Sequence, residues 1–272
     1  MNLIDAAFNR LKQEGRAAFI PFLTVGDPDL DTSVDLIAGL EQAGADILEL
    51  GVPYSDPLAD GPVIQRASER ALLHHVTIES CFQVAGEARR RGVQIPFVLF
   101  TYYNPVLQVG LEKFMAAAAE HGISGLIIPD LPYEECSEVL ELADKANIHL
   151  IPLVAPTSEG RIQAILEKAR GFVYCVSSLG VTGVRSSFHE GIEAFIQSVK
   201  QATPLPVAVG FGISSHEQVE RFSAICDGVV IGSAIVREVE TQADRLLNES
   251  AKQDALLQIC NFVSQLKGYK LT

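Results

Sequence analysis

The chain has 272 residues, 48% of them apolar, with 34 acidic against 21 basic residues and a net charge of −13. That balance argues against a general affinity for nucleic acid or an anionic membrane, so any phosphate site must be built locally. Five cysteines without C-x-x-C spacing read as reduced, mostly buried thiols; no apolar run approaches membrane-spanning length, and residues 1–15 carry charges at helical spacing rather than a secretory signal, all of which predicts a soluble cytoplasmic protein.

Residues 1–14 read as an amphipathic helix, with Leu3, Ala7, Phe8 and Leu11 on one face and Gly15 as its stop. Eight apolar, strand-like runs follow, at 17–26, 45–53, 96–104, 125–132, 149–156, 171–180, 206–212 and 227–234. Helical patterns separate them, at 31–43, 78–91, 111–121, 134–146, 158–169, 190–201 and 214–223. Ser158 is the expected N-terminal cap of one, and Ser214 with Glu217 the expected capping box of another. A helical region from about 235 to 267, broken near Asn248, closes the chain.

Strands alternating with helices imply parallel pairing and helical crossovers, an α/β fold. A doubly wound open sheet is the rival, but residues 25–33 (VGDPDLDTS) are not the glycine-rich dinucleotide fingerprint expected after its first strand. The prediction is a single (β/α)8 TIM barrel domain over 1–272: helix 1–15, barrel 17–234 and C-terminal helices 235–272. Long connections follow the second strand, with room for an extra short helix, and the sixth, where a Gly, Ser and Thr-rich stretch could form a lid.

Active sites of such barrels lie at the C-terminal ends of the strands. Those ends supply Phe22, Thr24, Glu49, Phe100, Tyr102, Asn104, Asp130, Tyr174, Phe211, Gly212, Gly232 and Ser233, an aromatic, apolar mouth suited to a flat substrate. Glu49 interrupts the second strand between Leu48 and Leu50, facing opposite to both, and the loop beyond carries Asp56 and Asp60. A carboxylate inside a barrel with a second acid above it suits proton transfer. The plain alternatives are a buried acid paired with a cation for Glu49, and turn chemistry for Asp56 and Asp60. No lysine stands at a strand end, against a Schiff base, and the six histidines form no ligand set for a metal. Glycine-rich loops at 180–183, 210–215 and 231–234 could bring backbone amides to a phosphate, with Arg185 as an added cation. The residues thus point to acid–base chemistry on a phosphate ester with an aromatic portion.

The runs PFLTVGDPD (21–29), LELGVPYSDPLADGPVIQ (48–65), YYNPV (102–106), GLIIPDLP (125–132), GVTG (180–183), GFGISS (210–215) and GSAIV (232–236) resemble the α subunit of tryptophan synthase over essentially the full length. The resemblance implies a lyase that cleaves indole-3-glycerol phosphate to indole and glyceraldehyde 3-phosphate. It implies Glu49 as general acid and base, and Asp60 as partner of the indole N–H. Phe22, Phe100, Tyr102, Tyr174 and Phe211 would line the indole pocket. Gly183, Gly212, Gly232 and Ser233 would hold the phosphate, and Thr182 would meet Asp60 on lid closure. No cofactor is implied for this chain; pyridoxal phosphate would sit on a partner β subunit in an α2β2 assembly, with Asp56 and Asn104 at the interface. Ser178 stands where some members carry arginine, which bears on lid contacts. Two other readings stay open: another phosphate-binding barrel isomerase or lyase, and a non-catalytic activating partner of a synthase subunit.

Overall fold

In the computed structural model, residues 1–176, 191–210 and 212–268 are described. The strands are β1 (Ala18–Thr24), β2 (Leu48–Gly51), β3 (Phe97–Phe100), β4 (Ile123–Ile127), β5 (His149–Leu150), β6 (Leu153–Val154), β7 (Val173–Val176), β8 (Val207–Gly210) and β9 (Gly228–Ile231). All their described pairings are parallel, in the order β5-β4-β3-β2-β1-β9-β8-β7-β6. The two ends of that order are adjacent in the chain. The Ile151 N–H donates to Leu126 O at 2.8 Å, and Pro152 O accepts from the Tyr174 N–H at 3.0 Å. One kinked segment therefore faces both neighbours and closes an eight-membered barrel. The split of the predicted strand 149–156 has a simple cause: Pro152 has no N–H to give the ladder.

Alternation along the strands sorts the core into two layers. Phe19, Leu23, Leu48, Leu50, Phe97, Leu99, Val173, Cys175, Val207, Val209, Val229 and Ile231 point outward against the helices. Ile20, Phe22, Ile47, Val98, Phe100, Ile127, Tyr174, Ala208 and Val230 fill the interior.

Helix α1 (Leu3–Glu14) forms as predicted and ends at Gly15, whose φ of 68° is the left-handed cap. It closes the barrel floor. Asn2 caps it by accepting from the Ile4 N–H, and its amide donates to Ser124 O at 2.8 Å and Asn147 O at 2.7 Å. Buried Ile4, Phe8 and Leu11 each contribute about 1.5–3 kcal/mol.

The outer helices are α2 (Leu30–Gln42), α4 (Ile78–Arg90), α6 (Leu111–Glu120), α7 (Ser137–Lys145), α8 (Ile162–Glu167), α9 (Ile192–Ala202), α10 (His216–Ser223), α11 (Ser233–Leu246) and α12 (Lys252–Lys267), with α3 (Pro62–Leu73) and α5 (Tyr103–Val109) added in the β2 and β3 connections. The extra helix expected after the second strand is α3, whereas α5 was not anticipated. Two boundaries need correcting. Residues Pro156–Arg161 form a 3₁₀ turn before α8, so Ser158 lies inside that turn, its Oγ accepting from the Ala155 N–H at 3.2 Å, and is not the N-cap of a helix. For α10 the capping box is Ser215 with Gln218, one residue later than Ser214 with Glu217; Gln218 Oε1 accepts from the Ser215 N–H at 3.3 Å and from the Ser214 N–H at 2.7 Å. The stretch at 177–190 expected to act as a lid lies outside the described residues.

Candidate active site

Glu49 projects into the barrel because β2 alternates, with Leu48 and Leu50 directed to the helices. Register sets it level with Phe22 on β1 and Val98 on β3. Its side chain is buried, and among the described residues Oε1 has no hydrogen-bond partner; Thr24 Oγ1, near the same rim, is likewise unpartnered. No cation pairs with Glu49 among the described residues. Burial pushes its carboxyl up to about 8, and the negative charge of Asp60 adds to the rise.

Asp60 comes from the loop between β2 and α3. The Gln65 side chain fixes the turn by donating to Asp60 O at 2.8 Å. Burial raises the Asp60 carboxyl to about 6, while a hydrogen bond from Tyr102 restrains the rise. Near neutral pH Glu49 is therefore mainly a neutral acid and Asp60 mainly an anion. Two carboxyls with separated affinities can divide the labour of one proton transfer.

Phe22, Phe100 and Tyr102 form an edge-to-face run, with ring centroids 5.9 Å and 6.4 Å apart. Gly51 makes room for it: a Cβ there would lie 2.4 Å from Phe22 Cζ. Gly210 does the same beneath Tyr174, whose hydroxyl would be 2.2 Å from an added Cβ. Tyr174 is buried beside Glu49, whose charge, after burial itself, raises the phenol.

Phe22, Glu49, Asp60, Phe100, Tyr174, Gly212, Gly232 and Ser233 line one cavity, joined by Ile64 and Val230. Ile64 and Val230 were not singled out from the sequence; the inward alternation of β9 signals Val230, but Ile64 is placed only by the seating of α3. The space is about 30 Å³, room for a water or two. Tyr102 stands behind the cavity. Its hydroxyl accepts from the Ala59 N–H at 2.9 Å, and its ring stacks on Tyr54 at 4.9 Å.

Gly212, at φ 92°, turns the chain between β8 and α10, and Gly232–Ser233 opens α11 with Ser233 buried. The first amides of a helix and a left-handed glycine turn, on neighbouring strands, make a fitting anion cradle. Asp56 and Asn104 do not reach the cavity. Asp56 is exposed and accepts from Ser55 Oγ at 2.6 Å; Asn104 is exposed and donates to Tyr54 Oη at 3.4 Å. Thr182, Gly183, Phe211, Ser178 and Arg185 lie outside the described residues. Among the described residues no three His, Cys, Asp or Glu side chains gather to hold a metal, and no helix is long and apolar enough to cross a membrane.

The family profile described as Tryptophan synthase alpha chain matches residues 8–265. A relative from Bacillus pumilus, named tryptophan synthase alpha chain, is 55% identical over 244 residues, covering 90% of this chain and 91% of its own. A crystal structure of tryptophan synthase alpha chain from Legionella pneumophila superposes with a TM-score of 0.87 at 33% identity, covering 98% of this chain and 97% of that one. A structure of Mycobacterium tuberculosis tryptophan synthase gives 0.85 at 34% identity, covering 99% and 98%.

Proposed function

Because the chain belongs to the tryptophan synthase alpha chain family, lyases acting on indole-3-glycerol phosphate in tryptophan biosynthesis, we propose that Glu49 and Asp60 carry out the cleavage in the cavity described above. The observation that carries this is the pair of buried carboxyls with unequal proton affinities beside an aromatic wall. Neutral Glu49 gives its proton to indole C3, and the Asp60 carboxylate, at the indole N–H, balances the positive charge that forms on the ring. The Glu49 carboxylate then takes the proton of the adjacent glycerol hydroxyl as the C–C bond breaks. Indole leaves neutral, the other fragment leaves as an aldehyde, and Glu49 ends protonated as it began. Phe22, Phe100, Tyr174 and Phe211 hold the indole, with Tyr102 behind them and hydrogen-bonded to Asp60; Gly212, Gly232 and Ser233, with Gly183, hold the phosphate; Thr182 approaches Asp60.

In this reading the chain works as one domain over 1–272, in the cytoplasm, without a cofactor of its own. Its partner is a β subunit carrying pyridoxal phosphate, in an α2β2 assembly. The rim around Asp56 and Asn104 is the proposed docking face, and Leu58, two residues from Asp56 and 81% exposed, supports that choice. The test is indole release from indole-3-glycerol phosphate by the purified chain, with and without a β subunit. Slow release accelerated by the partner is the expected result. Release indifferent to the partner would remove the assembly, and no release in either case would remove the reaction.

A further inference from the structure

Three segments that each carry part of the cavity are joined by an ion array outside it. Asp27, in the turn after β1, is 2% exposed and accepts two hydrogen bonds of 2.8 Å from Nε and Nη2 of Arg70 on α3. Arg70 Nη1 donates at 2.8 Å to Glu240 on α11. One turn back on α3, Arg66 grips the same carboxylate through Nε and Nη2, again at 2.8 Å each.

Forked guanidinium–carboxylate pairs fix orientation as well as distance. Ion pairs that include a buried carboxylate are weak net contributors to stability, since an apolar replacement often serves as well. Geometry is thus the stronger account of what this array supplies. Helix α3 has particular need of it, for α4 and not a strand follows it, and its seat is made by the modest side chains of Val63, Ile64, Ala67 and Ala71. Yet α3 begins two residues after Asp60, holds the Asp60 carbonyl through Gln65, and supplies Ile64 to the cavity. Helix α11 begins at the Gly232–Ser233 turn, and Glu240 lies two turns along it; β1 carries Phe22.

We propose that Arg70, together with Glu240, is a positioning residue for the cleavage reaction: the Asp27–Arg70–Glu240–Arg66 array sets α3 against α11 and so sets the separation between the Asp60 carboxylate and the Gly232–Ser233 turn. This rests on the reaction assigned above, in which indole and phosphate are the two ends of one substrate. A clamp that sets the distance between two subsites matters for the joined substrate and little for either half alone.

The experiment compares Arg70→Lys and Glu240→Gln with the parent chain, measuring kcat and KM for indole-3-glycerol phosphate and, separately, binding of indole and of glycerol 3-phosphate. Glu240→Gln leaves the Asp27–Arg70 pair intact and alters a carboxylate that is 26% exposed, so it keeps the test open where Arg70→Lys folds poorly. The expected result is a fall in kcat/KM of about tenfold or more, with each half binding within about twofold of the parent. Arg70→Lys keeps the charge but loses the fork, so it should not restore the rate. Parent-like kcat and KM in Glu240→Gln, whatever its melting temperature, overturn the clamp alone. A parent chain that turns nothing over overturns the reaction, and the clamp with it.

Discussion

At the scale of single residues, the site depends on one burial effect acting unequally on two carboxyls. Glu49, raised to about 8, and Asp60, raised to about 6, bracket neutral pH. With Glu49 needed protonated and Asp60 ionised, kcat/KM should be greatest between the two values. It should fall above about 8 as Glu49 loses its proton, and below about 6 as Asp60 gains one. A pH profile of indole release checks both limbs, and an Asp60→Asn variant should be severely slowed and lack the acid limb. Glu49→Gln should reduce cleavage by about 10²–10⁴-fold or more while substrate still binds, because it keeps the shape but cannot exchange the proton. Retention of most activity would defeat the role given to Glu49. Glu49 was legible from the sequence as a lone carboxylate in an apolar strand, and Asp60 as a second acid on the loop above it, with turn chemistry open as its other reading. Their unequal affinities were not, because these depend on how deeply each is buried and on Tyr102, brought from the turn between β3 and α5.

At the scale of elements, β2 and its neighbours show how close the backbone must come. Gly51→Ala would place a methyl 2.4 Å from Phe22 Cζ, forcing that ring into the cavity. Indole release should fall by about tenfold or more with little loss of folded protein, since displacement of a positioning group by even 1 Å is costly. The floor helix behaves differently. Ile4 is fully buried, and its Cδ1 lies where a Cβ on Gly125 would be only 2.7 Å away, so the two are tightly fitted. Ile4→Ala should cost about 2–5 kcal/mol in urea unfolding with little change in KM, because α1 is at the opposite end from the site. Helix and strand identities followed from periodicity. What escaped was local chemistry at their ends: the Pro152 break, the 3₁₀ turn ahead of α8, the one-residue shift of the α10 cap, and α5, whose first N–H is held by Asp130 from the next loop at 2.9 Å.

For the whole molecule, the buried acids make stability depend on pH in an unusual direction. Glu49 has a folded-state affinity of about 8 against an ordinary value of 4.5, and Asp60 about 6 against 3.8, so over those windows the native state binds more protons than the unfolded chain. Their contribution is fully present below the ordinary values and is lost as pH rises, by up to about 1.4 kcal/mol per pH unit for each group titrating. Unfolding free energy should therefore decline between pH 5 and 8, and Glu49→Gln should flatten the decline and be the more stable protein at pH 8. A variant as steeply dependent on pH as the parent would show that Glu49 ionises freely. By itself the sequence determined the fold class and the eightfold alternation, and it singled out an acid inside the second strand. It could do so because periodicity, turn residues and a charge in an apolar run are local properties of a chain. Tertiary structure alone decided that the fifth strand closes the ring by serving two neighbours in halves, that Ile64 completes the cavity, and that Asp27, Arg70 and Glu240 meet. Those facts join residues as far apart as positions 27 and 240 in the chain, and no local pattern encodes a contact made only when the barrel closes.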